Sequence, residues 1–175
     1  KDTSSLINFI HFELFLQQVK NCMDIQALTE YIKIEAIKLG FDACGIAKAD
    51  NVSAEYARDY ETWLNNGFNA DMSYINRNQE KRFDPRKLVE ETKSVIVVAL
   101  NYYHELNSEK SVTDDRLKIA RYAHNPDYHK IIRDKLYLLL ESVRSQGIAV
   151  KGRAFSDSAP VAERYWAKMA GIGWT

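Results

Sequence analysis

The sequence predicts an α/β fold: a single layered domain with a central, mixed sheet flanked by helices, α+β being the variant arrangement. Three observations carry this. Ser94 to Tyr102 is a nearly unbroken β-branched and apolar run, as expected of a strand buried on both faces. Two segments, around Ile25–Leu39 and Tyr128–Gln146, carry apolar residues at helical spacing and are each stopped by a glycine. Helical and strand patterns alternate along the chain, which is the signature of helices packed on a sheet.

In the first amphipathic segment, Ile25, Leu28, Ile32, Ala36 and Leu39 share one helical face, and Gly40 suits the C′ position. Phe41 to Ala47 reads as a short strand in which Gly45 marks a close backbone approach. A second helix, capped by Asp50 or Ser53, carries Tyr56, Tyr60, Trp63 and Leu64 and ends near Gly67. Residues 69–91 are polar, contain Pro85 and lack apolar periodicity, so loops and short helical turns are expected. The strand 94–102 is followed by a polar loop. The helix of residues 128–146 presents Ile131, Ile132, Leu136, Leu139, Leu140 and Val143, and Gly147 ends it. Ile148 to Phe155 reads as a further strand, and Asp157 or Ser158 is placed to cap a helix starting around Pro160.

Bulk properties narrow the function. The chain has 175 residues, enough for one domain with a real core. Its 24 Lys and Arg balance 24 Asp and Glu, so no global basic field advertises nucleic acid. Cys22 and Cys44 supply neither a disulfide framework nor metal-ligand spacing, and they suit a reducing, cytoplasmic setting. No metal site is expected in this stretch of chain. The apolar stretch Leu6–Leu16 is too short to span a bilayer and lacks the features of a signal peptide. The chain starts at Lys1, and Met23 precedes a clean amphipathic helix. Residues 1–22 are therefore expected to be an upstream extension, with 23–175 as the domain; an additional packed helix is the competing reading of the apolar spacing.

Four segments hold polar groups that the fold alone does not require. In Glu80–Leu88, Arg82 stands beside Phe83 and the turn-forming Asp84-Pro85, an arrangement able to hold a carboxylate, amide or phosphate, although a solvated loop would look the same. In Ile119–His129, Arg121, His124, Asp127, Tyr128 and His129 crowd a helix start, where Asp127 also suits an N-cap; the two histidines lack a third ligand at standard spacing. In Arg153–Arg164, Asp157 lies at a strand-to-helix junction, where α/β folds place ligands. As a general acid it would need burial or a negative neighbour to keep its proton, whereas the nearby Arg164 would favour the ionised form. In Met169–Thr175, Gly171 and Gly173 form a weak G-x-G pattern without a dinucleotide fingerprint.

Taken in order, several segments resemble the epoxyqueuosine reductase family. They are Gly40-Phe41-Asp42-Ala43-Cys44-Gly45-Ile46-Ala47, Ala70-Asp71-Met72-Ser73-Tyr74-Ile75, Lys81-Arg82-Phe83-Asp84-Pro85, Lys93–Val98 with Asn101-Tyr102, Ala120-Arg121-Tyr122, Asp127-Tyr128-His129, Asp157-Ser158-Ala159-Pro160, Glu163-Arg164 and Ala170-Gly171-Ile172-Gly173-Trp174. The resemblance covers roughly Asp24 to Thr175 and implies the N-terminal, cobalamin-binding part of a two-part enzyme. A ferredoxin-like domain with two [4Fe–4S] clusters would follow and pass electrons from an external donor to the cobalt. The implied substrate is epoxyqueuosine at the wobble position in the anticodon loop of tRNA, reduced to queuosine with loss of oxygen as water; no membrane is involved. By the same resemblance Asp157 is the proton donor. Arg82, Ala120, Asp157 and Arg164 border the cofactor, with Ala120 standing where some relatives have a Cys. Asp127, Tyr128 and His129 belong to the cleft. Two other readings are another corrinoid–iron–sulfur reductase and a non-catalytic corrinoid-binding module.

Overall fold

The strand at the centre of the sequence reading is also the middle of the core. In a computed structural model of the chain, residues 8–16, 24–101, 127–148 and 150–173 are described, and they contain four strands and six α-helices. The chain order is β1 (Asn8–Leu16), α1 (Ile25–Lys38), β2 (Ala43–Lys48), α2 (Ala54–Asn65), a 3₁₀ turn (Ser73–Asn76), α3 (Gln79–Phe83), α4 (Pro85–Leu88), β3 (Ser94–Leu100), α5 (Tyr128–Ser145), β4 (Val150–Ala154) and α6 (Glu163–Met169).

Side chains alternate across a strand, so a strand covered on both faces needs apolar residues at every position. In β3, Val95, Ile96, Val97 and Val98 are all completely buried. Ile96 and Val98 join Leu28, Ile32 and Ala36 of α1 and Ile132, Leu136, Leu139, Leu140 and Val143 of α5 in one cluster. Val95 and Val97 face the other way, into a cluster with Ala47, Val52, Val161, Tyr165, Trp166 and Ala167. The molecule is therefore three layers: α1 and α5, the sheet, then α6 with the α2–α4 region.

The sheet order is β2-β3-β1-β4, and every neighbouring pair is antiparallel, which corrects the expectation of a mixed sheet. The reason lies in β1. Its residues 8–14 pair with 100–94 of β3, and its residues 12–16 pair with 154–150 of β4. β3 and β4 point the same way, and β1, lying between them in the opposite direction, makes both contacts antiparallel. The helical reading of this apolar segment is replaced as well. Its central residues alternate apolar and polar (Ile10, His11, Phe12, Glu13, Leu14), and pairing on two sides outweighs local spacing. Whatever its origin, this part of residues 1–22 is hydrogen-bonded into the fold.

The helix boundaries follow their caps. Ser53, not Asp50, caps α2, its side chain accepting from Tyr56 N at 3.2 Å. Asp127 caps α5 by accepting from His129 N at 3.0 Å. Gly40 and Gly147 terminate α1 and α5 with φ of +83° and +75°, a conformation that favours glycine. Gly45 is required for another reason: a Cβ there would lie 2.2 Å from the Ala170 carbonyl oxygen. Its missing side chain lets the end of α6 lie directly on β2.

One expected cap is absent. The last helix starts at Glu163 rather than near Pro160, and its N-cap, Ala162, offers no side-chain bond. Asp157 and Ser158 are thus not caps, because 158–162 forms an extended turn before the helix begins. That leaves the Asp157 side chain available for other contacts.

Candidate functional site

The loop between β4 and α6 borders a cleft of about 540 Å³, walled by Tyr74, Ile75, Arg77, Asn78 and Arg82 on one side and by Asp157 to Val161 with Glu163 on the other. This size falls within the range of small-molecule sites, roughly 300–1,000 Å³. One wall is held in place by aromatic packing. Tyr56 of α2 packs at a tilt against Tyr165 of α6, ring centres 5.0 Å apart, and Tyr60 meets Phe83 edge-on at 5.4 Å. Tyr165 Oη accepts from Ser53 N at 3.0 Å, and Tyr60 Oη donates to Ile75 O at 3.0 Å. These contacts tie α2, α3 and the 3₁₀ turn to α6.

Arg82 is set by this cluster. Its guanidinium lies 5.7 Å from the centre of the Tyr60 ring, and Nη1 donates to Val161 O at 3.2 Å across the cleft. Its Nε is buried with no acceptor. Nearby, buried Asp84 accepts from Arg86 N at 3.0 Å and from Arg86 Nε at 2.8 Å, which holds its carboxyl below the usual range. This ion pair fixes the turn between α3 and α4.

Asp157 adopts the left-handed region, φ +50°, which is uncommon for a residue with a side chain. Its Oδ2 accepts from the Tyr128 hydroxyl at 2.8 Å, and His129 Nε2 stands 3.9 Å from the same oxygen. The Tyr128 and His129 rings stack at 4.0 Å. Behind them, Asp127 Oδ1 lies 2.7 Å from His129 Nδ1, and these bonds hold the Asp127 carboxyl below its usual range. A carboxylate on Nδ1 makes it the protonated nitrogen and turns Nε2 toward Asp157. The start of α5 thus serves two purposes, capping a helix and placing two polar rings at the cleft.

On its other side Asp157 meets Glu163. Burial and the neighbouring Asp157 carboxyl, to which Glu163 is hydrogen-bonded, push Glu163 up to about 8, opposed in part by Arg82. Two carboxyl groups share a hydrogen bond only when one of them keeps a proton, so the pair retains acidity near neutral pH.

The structure therefore brings Arg82, Tyr128, His129 and Asp157 together, with Asp127 one step behind. Ala120 lies outside the described residues. Arg164 is exposed on α6 and does not border this cleft; its positive charge acts on Tyr56 instead. Sequence reasoning missed Glu163 as a site residue. The signal was present, since Asp157 needed a negative neighbour to hold a proton, and Glu163 lies one short turn away. Cys44 is mostly buried and its thiol is pushed up to about 12, so it is inert near neutral pH. Among the described residues no His, Cys, Asp and Glu group is placed to hold a metal ion, and no helix is long and apolar enough to cross a membrane.

Comparison with known proteins shows the family of the chain. A family model described as "Epoxyqueuosine reductase QueG, DUF1730" matches residues 82–158, from Arg82 to just beyond Asp157. The epoxyqueuosine reductase of Cyclobacterium marinum is 47% identical over 150 residues, covering 86% of this chain and 47% of the relative. That of Leadbetterella byssophila is 46% identical over 143 residues, 82% of this chain and 46% of the relative. The solved structure of epoxyqueuosine reductase from Streptococcus thermophilus superposes with a TM-score of 0.74 at 25% identity, covering 87% of this chain and 40% of that one. A selenomethionine-labelled epoxyqueuosine reductase crystal structure gives 0.73 at 26% identity, with 86% and 40% covered. The chain spans about half the length of the curated relatives it matches. In sequence and in fold, this chain belongs to the epoxyqueuosine reductase family.

Proposed function

We propose that this chain is the cofactor-holding part of a tRNA epoxyqueuosine reductase, residues 23–175 together with β1 forming the domain that receives cobalamin. The observation that carries the reading is Asp157: a carboxyl at the mouth of a cleft, held by Tyr128 and Glu163 instead of capping a helix. An acid so placed is what protonation of a departing oxygen requires. The reaction is reduction of epoxyqueuosine to queuosine at the wobble position of tRNA, in the cytoplasm, with electrons from an external donor. Two [4Fe–4S] clusters would belong to the remainder of the relatives' length.

The cleft suits one side of a corrinoid. Arg82 Nε is a buried donor without an acceptor in the cleft wall, and a corrin's peripheral amides or its phosphate would supply one. A volume of about 540 Å³ with an open side would take part of such a ligand rather than enclose it. The chemistry cobalamin would supply when bound is reducing electrons for the epoxide. Arg82 would fix the cofactor's edge. Asp157 would give a proton to the leaving oxygen, and Tyr128 and His129 would orient its carboxyl, with Asp127 fixing the His129 tautomer.

The test is the full-length protein in cells that accumulate epoxyqueuosine in tRNA. Wild type should restore queuosine, whereas Asp157→Asn should abolish turnover and still bind cobalamin. Corrinoid binding by wild type without epoxyqueuosine reduction would point to another corrinoid reductase or a carrier module. Turnover by Asp157→Asn at the wild-type rate would remove Asp157 from the chemistry.

A further inference from the structure

The cleft holds two acidic side chains where the proposed reaction calls on one. Asp157 and Glu163 border the same space and are hydrogen-bonded to each other. Around them stand Tyr128 and His129 of α5 on the Asp157 Oδ2 side, Arg82 of α3 near Glu163, and Tyr74 and Arg77 on the facing wall. Asp157 is more exposed than Glu163, so the two differ in position: one faces the ligand space and one is set back.

We propose that the acid of this cleft is a carboxyl pair, Asp157 with Glu163, that shares one proton at neutral pH, Glu163 being the positioning residue that keeps this proton in the pair. This inference rests on the reading of the cleft as an epoxide-reducing site. Removing an epoxide oxygen as water breaks two C–O bonds, consumes two electrons and two protons and leaves a C=C bond. The external donor supplies the electrons. The first proton leaves the pair through Asp157 and goes onto the oxygen as the first C–O bond breaks. The pair then changes from one negative charge to two, and Arg82 beside Glu163 offsets part of the added repulsion. The second proton comes from solvent on the Tyr128–His129 side, as does the one that restores the pair. A lone exposed Asp would be ionised at neutral pH and would have no proton to give. The set-back Glu163 removes that difficulty.

Two measurements on the full-length protein test the pair. The first follows side-chain carboxyls by ¹³C NMR during a pH titration, without substrate. A glutamate carboxyl should titrate near pH 8, vanish in Glu163→Gln, and move down by more than about one pH unit in Asp157→Asn, where the like charge is gone. Titration of Glu163 in the ordinary carboxylate range, or no response to Asp157→Asn, would overturn the pair. The second is the pH profile of turnover. In wild type it should fall as pH rises through about 8. In Glu163→Gln, whose amide keeps the size but cannot hold a proton, the fall should move at least about one unit lower, with KM changed less than about threefold. An unmoved profile refutes Glu163. A glutamate titrating near 8 in a wild-type protein that does not reduce epoxyqueuosine would leave the pair standing and refute the functional reading instead.

Discussion

The two faces of the sheet are covered in different ways. Against α1 and α5 the packing is aliphatic: Leu28, Ile32, Ile96, Val98, Leu136, Leu139 and Leu140 fill it. Against α6 the contacts are aromatic and partly polar, with Tyr56, Phe83, Tyr165 and Trp166 around Val95 and Val97. The described side-chain polar atoms that are buried without a partner, Arg82 Nε, Ser156 Oγ and Trp166 Nε1, all belong to residues of the second side or its loops. A protein interior rarely leaves donors unmet, since each costs about 1–3 kcal/mol. Where one of them, on Arg82, belongs to a cleft wall, part of the cost of holding a ligand has been met before it arrives. The aliphatic face supplies the stability that the other face draws upon.

The largest expected effect comes from the dry face. Leu136 is completely buried, and Leu136→Ala should cost about 2–5 kcal/mol in urea unfolding, because the cavity collapses only in part. The loss should be similar at every pH between 5 and 8, as no carboxyl or imidazole lies in that cluster. A cost below about 1 kcal/mol would mean that α5 does not carry the fold in this way.

Most of the dry face was legible from sequence, because its apolar residues repeat at 3.6 or fill a strand continuously. Residues 132, 136, 139, 140 and 143 of α5 were all identified, and each is buried. Loop geometry was less legible. Asp157 followed a strand and preceded a helix, so a cap was the natural reading; only the late start of α6 at Glu163 removes it. Likewise Glu163 acquires its role through burial and a partner six residues away, neither of which leaves a periodic trace. Arg82 was readable as a polar group in an odd place, yet its unmet Nε depends on Val161 taking Nη1 across the cleft. The position of β1 between β3 and β4 was the least legible, since strand order depends on long-range pairing rather than local pattern.

A smaller effect should distinguish the faces by pH. Glu163 is raised from 4.5 to about 8 in the folded protein, so its contribution is fully present below its unfolded value and is lost as pH rises through about 8. Between those limits the folded state holds a proton that the unfolded chain has released, and stability should fall by at most about 1.4 kcal/mol per pH unit. Asp84, lowered by Arg86, has the opposite sign: its contribution is present above 3.8 and is lost as pH falls through its lower folded value. Glu163→Gln should flatten the decline between about pH 5 and 8 and leave the acid limb alone. If the slope there were the same in the variant, the carboxyl would not be buried as described.

Trp166 allows the finest comparison. It is as thoroughly buried as the leucines of α5, at 2% exposure, but its Nε1 has no acceptor. Trp166→Phe removes part of a ring and leaves a small cavity, which destabilises; it also removes an unmet donor worth about 1–3 kcal/mol, which stabilises. The two nearly cancel, so the net change in unfolding free energy should lie within about 1 kcal/mol of zero. A leucine truncation on the opposite face has no such offset. A cost of about 3 kcal/mol or more for Trp166→Phe would show that Nε1 has found a partner, such as an internal water. Arg82 Nε and Ser156 Oγ alone would then set the two faces apart.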